Sequence, residues 1–232
     1  MARSGINSDY TDVPKESHDV LEPLSPRMKE LLLTHGLCVA SDLRRCRRKV
    51  KRLTSDLPAF DSVWIDALVS QKSLTPYQAT LLESEHPERI TSGEYILIDR
   101  LGGRNRSETF LARNRKRKRF CLETLSLRPE QLDSSENHLK ETIRQLAEWH
   151  HSHVVTPREV IKQQESLVVV SQYIPGLSLR ELLVRRGRFP VPVVIAIARQ
   201  VLTGMKALQK EGVFHGDLRL ENVKLSPRGR AM

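Results

Sequence analysis

The sequence predicts an α+β fold: an antiparallel sheet carrying one helix, continued by further helices and a loop, and preceded by a small all-α segment. Three observations predict it. Apolar residues recur in short helical stripes up to about residue 88, and from Glu94 the period changes to two. A long apolar stripe then stops at Gly212, directly before His215-Gly216-Asp217-Leu218-Arg219-Leu220-Glu221-Asn222.

The 232 residues suffice for one or two domains, and 39% hydrophobic with 5% aromatic content allows a core thin in large anchors. Uninterrupted apolar runs fall short of the ~18–20 residues of a membrane span, and the N-terminus carries no signal-type apolar region, so no span is expected. Cys38, Cys46 and Cys121 are odd in number and lack metal-type spacing, which predicts reduced thiols and a cytoplasmic location. Much of the net charge of +10 sits in Arg44 to Arg52 and Arg113 to Arg119. No aromatic side chains interleave the first cluster to stack on bases. It therefore reads as a solvated helix face, against a nucleic-acid partner.

In chain order, residues 1–23 are polar without apolar period and read as a disordered arm. Ser25-Pro26 opens a helix through Met28 to Leu33 that Gly36 closes. A second helix, Ser41 to about Leu53, carries Leu43, Val50 and Leu53 against its basic face. Asp61 to Gln71 forms a third, and Thr75-Pro76 caps a fourth ending near Ser84. Residues 24–88 are thus a helical adaptor suited to protein contact, either packed on the strands after it or held apart on a linker around His86-Pro87.

Tyr95 to Ile98 running into Leu101-Gly102-Gly103, Thr109 to Ala112, and Arg119 to Leu122 predict three antiparallel strands, the first two joined by a glycine turn. The basic run Arg113 to Arg119 is the next hairpin loop. Leu139, Ile143, Leu146 and Trp149 make the inward stripe of a helix from about Ser135 to Trp149. Val154-Val155 and Leu167 to Val170 continue the sheet. Ser178 caps a short helix, Leu179 to Arg186; Val193, Ile197, Val201, Met205 and Leu208 line a longer one.

In the loop after that helix, a carboxylate and a carboxamide stand five residues apart, a spacing suited to aiming an acid at a hydroxyl and an amide oxygen at a metal ion. The block resembles the catalytic loop of protein kinases, H-R-D-L-x-x-x-N, and from about Tyr95 onward the chain is similar to bacterial Ser/Thr kinases. The resemblance implies a kinase-like N-lobe and hinge over residues 94–176 and the start of a C-lobe over residues 177–232. It also implies ATP and Mg2+ as cofactors and a protein as substrate or partner. By resemblance Asp217 is the base, Arg219 stands for the lysine that steadies the γ-phosphate, and Asn222 is the metal ligand. Leu101, Gly102, Gly103, Cys121 and position 123 would surround the nucleotide, with the main chain of Gln172 and Ile174 holding the adenine edge.

Several positions depart from the family pattern. Of the three motif glycines only Gly102 is kept; Arg104 and Ser107 stand at the others, and Arg104 or Arg106 would have to supply compensating charge. Glu123 occupies the place of the ATP-binding lysine, reversing its charge, and Thr142 that of the helix glutamate which pairs it; a one-residue slip would bring Glu141 there instead. Gly216 replaces the loop arginine, and His215 reads as a packed structural histidine. Lys224 replaces an apolar adenine floor and must either reach outward or crowd the pocket. The chain ends at Met232, before the family's D-F-G motif, which predicts a C-terminally truncated lobe whose long helix exposes its apolar face or meets a partner chain. The expected function is a catalytically impaired pseudokinase with weak or no ATP binding, acting through protein contacts; the alternative is an ATP-dependent Ser/Thr kinase.

Overall fold

The computed structural model describes residues 23–54, 60–104 and 106–232. The proposed arm falls almost wholly outside this range. Four helices come first: α1 Pro26–Thr34, α2 Ala40–Leu53, α3 Asp61–Ser70 and α4 Pro76–Leu82. Ser25 and Thr75 cap α1 and α4, each hydroxyl accepting from a backbone N–H three residues on, with proline opening the helix. On α2 the inward residues are Cys46 and Val50, and Leu53 is 52% exposed. The predicted stripe omits the thiol because it counts only aliphatic residues, although cysteine packs as a small hydrophobe. The arginine and lysine face of α2 points mostly to solvent, as does Arg115 to Arg119.

The adaptor does not float. Leu32, Val50, Ile65, Leu68 and Ile90 are buried in one cluster with Ile96, a residue of the sheet. Gln78 is buried; its amide donates to Leu97 O at 2.7 Å while its carbonyl accepts from Thr75 N at 3.0 Å. The Thr75 hydroxyl donates to Ile98 O and the Arg113 guanidinium to Gly36 O. Gln78→Ala would leave the Leu97 carbonyl buried without its donor, a loss of about 1–3 kcal/mol. Chemical denaturation should show a lower midpoint with an unchanged slope.

A 3-10 turn, Pro87–Ile90, leads to a six-stranded antiparallel sheet: β1 Thr91–Ser92, β2 Tyr95–Arg104, β3 Ser107–Arg113, β4 Arg119–Ser126, β5 Pro157–Gln163 and β6 Ser166–Gln172, in the order β1-β2-β3-β4-β6-β5. Alternation places Phe120, Leu122, Val168 and Val170 on one face, where they join Tyr95, Leu97, Phe110 and Ala112 in a core on which Tyr77 and Leu81 of α4 pack. Cys121 and Glu123 take the other face, opposite Ser171 and Val169 of β6.

Two sheet expectations change. Gly102 and Gly103 are not the turn: they lie within β2, paired to Thr109 and Glu108, and the ladder runs on to Arg104 and Ser107. Val154 and Val155 are not a strand; Val154 makes an isolated bridge to His151. The strand is Pro-Arg-Glu-Val-Ile-Lys-Gln, whose polarity suits an edge with little buried surface. Helix α5 spans Pro129–Gln145, beginning earlier than its stripe because Pro129 starts it without a side-chain cap. Leu132 and Leu146 are buried, Leu139, Ile143 and Trp149 half-buried.

Beyond β6, a two-stranded sheet pairs β7, Leu177–Ser178, with β8, Lys224–Leu225. Ser178 and Glu181 form a capping box for α6, Leu179–Arg186, and the Ser178 N–H bonds hold the Glu181 carboxyl below its ordinary range. Helix α7, Val191–Lys210, buries Ile197, Gly204 and Leu208, with Val201 and Met205 half-buried and Val193 exposed. Its most apolar 18-residue window has a mean hydropathy of 1.5, so by length and composition the helix is long and apolar enough to cross a membrane, although it holds no uninterrupted apolar run of that length. Charged residues such as Arg199 and Lys206 break the run without lowering its average below that limit. Val191, Val194, Ile195 and Leu202 are exposed along it.

Candidate functional site

Helix α7 ends in a Schellman motif: Gly212 at φ +71° bonds to Gln209 O, and Val213 N–H returns to Leu208 O. The stop releases the chain into the loop 213–223, which is fastened at its far end by Leu179 N–H to Val223 O and Arg180 N–H to Leu220 O. Between these anchors the structure gathers the three candidate catalytic residues. One carboxylate oxygen of Asp217, Oδ2, accepts from Arg219 Nη2 at 2.6 Å and from Asn222 Nδ2 at 2.8 Å. Asn222 Nδ2 also donates to Asp217 O at 2.9 Å, so the amide oxygen is turned away from the acid. The group is exposed. Gly216 sits at φ +75° with open space around it, so the backbone turn, not crowding, favours glycine there. His215 is exposed, not packed; its Nδ1 accepts from Asp217 N–H at 3.3 Å and helps set the turn.

Glu123 faces this loop from β4. Loss of water around its carboxyl and the Asp217 carboxylate both raise its pKa, and the Arg219 guanidinium opposes them. No partner cation arrives from α5, which packs on β5: Glu136 pairs with Lys140 and Lys162, and Asp133 with Lys162. Thr142 donates its hydroxyl to His138 O within the helix, and Glu141 pairs with Arg144, so neither register supplies a partner to position 123.

At the hinge end, burial raises the Cys121 thiol, while Lys224 lowers it from across the cleft. The Lys224 ammonium lies 5.4 Å from the centre of the Tyr173 ring, within cation–π reach. Lys224 is half-buried, its ammonium held over Tyr173 and within electrostatic reach of Cys121. Its engagement with Tyr173 goes beyond the sequence expectation, although an aromatic two residues after Ser171 is a visible docking face for a cation. Gln172 and Ile174, expected beside the adenine edge, line a separate cleft that includes neither Cys121 nor Glu123. Leu101, Gly102 and Gly103 lie exposed near the tip of the β2–β3 hairpin. A Cβ on Gly103 would meet Ser107 O at 2.8 Å, so the hairpin itself requires that glycine; at Gly102 there is open space. Arg106 lines a cleft on the far face of the sheet, with Tyr77 and Phe110, and gives no compensation at the phosphates; the Arg104 side chain lies outside the described residues.

The Glu123 carboxylate lies within electrostatic reach of both the Asp217 carboxylate and the Arg219 guanidinium. Asn222 and Asp217 offer oxygen donors, but among the described residues no group of three or more His, Cys, Asp or Glu side chains is placed to hold a metal.

Comparison with known proteins agrees with the architecture. The model of the protein kinase domain matches residues 95–231. Mitogen-activated protein kinase kinase kinase 3 of Arabidopsis thaliana is 30% identical over 91 residues, covering 39% of this chain and 14% of that one. Serine/threonine-protein kinase PknL of Mycobacterium tuberculosis is 41% identical over 61 residues, 26% and 15% of the two chains. The chain thus spans about a seventh of the length of these curated relatives. Among solved structures, Rad53 1–466 in complex with AMP-PNP superposes with a TM-score of 0.50 at 19% identity, over 60% of this chain and 37% of that one.

Proposed function

Since the chain belongs to the protein kinase family, we propose that it is a pseudokinase: a kinase-like scaffold that binds magnesium–ATP weakly or not at all and acts through contacts with other proteins. The observation that carries this reading is the Glu123 carboxylate, on the sheet face towards Asp217 and Arg219, at the position where the resemblance puts a lysine. At ~4 Å and an effective dielectric near 20, a carboxylate beside a phosphate would cost about 4 kcal/mol, half of the roughly 8 kcal/mol behind micromolar affinity. Lys224 beside Tyr173 adds a steric and desolvation cost at the adenine end. The adaptor, sharing a core with the sheet through Ile96, belongs to the same interacting unit.

A second reading has its own support. Asp217, Arg219 and Asn222 are already hydrogen-bonded together, which favours an ATP-dependent kinase that transfers the γ-phosphate to a Ser or Thr hydroxyl of a protein. Thermal unfolding with ATP, in the presence and absence of magnesium, separates the two. A true site at 100 times its Kd stabilises by about 2.7 kcal/mol, and the pseudokinase shows no such rise. Transfer of radiolabelled phosphate that vanishes in Asp217→Ala would refute the first reading.

A further inference from the structure

A separate, rear cleft of about 970 Å³ is lined by Gln172, Ile174 and Pro175 among others, and by neither Glu123 nor Asp217. Its floor is apolar: Ile143, Leu146, Val154, Ile174 and Pro175. Arg158, Arg228 and Arg230 stand around it, no Asp or Glu side chain lines it, and none of these arginines forms an ion pair among the described residues.

Two of the arginines are held on a stiff support. The hairpin 224–232 is closed by Lys224 N–H to Met232 O at 2.7 Å, by the return bond at 2.9 Å, and by Ser226 N–H to Arg230 O at 2.9 Å. Gln200 of α7 accepts from Ala231 N–H at 2.9 Å, and the His153 ring donates to Ala231 O at 2.8 Å. The wall opposite is stiffened by Trp149, whose ring stacks on His151 at 5.7 Å. A preformed apolar trough with unpaired guanidinium groups on its rim suits a carboxylate-bearing chain that can also bury aliphatic side chains.

We propose that this rear cleft is a docking site for an acidic peptide segment of a partner protein, its carboxylates meeting Arg158, Arg228 and Arg230 and an aliphatic side chain entering between Leu146, Val154 and Ile174. A nucleic-acid ligand is disfavoured because Trp149 already spends one ring face on His151 and the floor is aliphatic.

The test uses the full chain and a fluorescein-labelled peptide of alternating glutamate and leucine, read by fluorescence anisotropy. The peptide binds, its lysine–leucine counterpart does not, and R228E/R230E weakens binding by about tenfold or more. Both arginines are exposed, so the variant should keep the wild-type melting temperature, which is checked alongside. Of the two tryptophans, Trp64 is buried in the adaptor, so peptide-induced change in indole emission should disappear in Trp149→Phe. Equal binding of both peptides, indifference to R228E/R230E, or displacement of the acidic peptide by a single-stranded oligonucleotide at lower concentration overturns the proposal. None of these readouts involves nucleotide, so the outcome is independent of whether the front cleft is active.

Discussion

The double variant Glu123→Lys/Lys224→Leu is expected to bind magnesium–ATP about 100-fold more tightly than the wild type. The first change removes a carboxylate that repels phosphate and adds an ammonium that attracts it; at ~4 Å each half is worth about 4 kcal/mol at an effective dielectric near 20. Solvent exposure of the cleft reduces this, and 100-fold, or about 2.8 kcal/mol, is the conservative share. The second change empties the space between Cys121 and Tyr173 and restores an apolar floor. Isothermal titration checks both, with single variants completing the cycle. Affinity unchanged in the double variant would mean that position 123 is not the barrier. A further consequence concerns stability: Glu123 has a raised folded pKa, so its contribution is favourable below the unfolded value and is lost as pH rises through the folded one. Glu123→Gln should therefore be slightly more stable than the wild type at neutral pH, with the difference fading in acid.

Gly176→Ala is expected to be the most damaging small substitution in the chain. Gly176 sits at φ +135°, and a Cβ there would run into Leu225 O and lie 3.0 Å from Leu225 C. These are backbone atoms of β8, held by pairing with β7 on one side and by Ala231 on the other, and they cannot step aside alone. Strain of about 1–3 kcal/mol at the backbone angle adds to about 1–3 kcal/mol of overpacking. A combined loss of about 3 kcal/mol lowers the melting temperature by roughly 6–12 °C in a chain of this size. Gly102→Ala is the control: its Cβ meets open space, and the expected change is within about 0.5 kcal/mol. Equal melting of the two variants would show that the hinge crossing is not tight.

The contrast between these glycines marks the line between what a chain displays and what only its folding decides. Helix starts at Ser25, Thr75 and Ser178 are legible because a hydroxyl before a helix has one strong use, and Pro26 and Pro76 repeat the message. The strands of the inner sheet are legible from β-branched and aromatic alternation around Phe110, Phe120 and Val168. The edge strand β5 is not, because Arg158, Glu159 and Lys162 are exposed and its apolar pair, Val160 and Ile161, stands side by side and marks no alternation. In the loop, the spacing of Asp217 and Asn222 singles out the pair, but not their hydrogen bond, which depends on the turn closed by Asn222 N–H to Arg219 O. The exposure of His215 is not legible, because whether a loop histidine is covered depends on neighbours far away in sequence. Lys224 is ambiguous for the same reason: its direction is decided by Tyr173, some fifty residues earlier in the chain.

The adaptor's attachment bears on where the independently folding unit begins. The family match starts at residue 95, yet Ile96 is 5% exposed within a buried cluster that includes Leu32, Leu68 and Ile90, and Leu97 O accepts from the Gln78 amide. Cutting the chain at that boundary would leave a greasy, underbonded first strand along the roof of the sheet. A transplanted kinase-like part that kept Leu24 to Ile90 would keep this buried cluster intact.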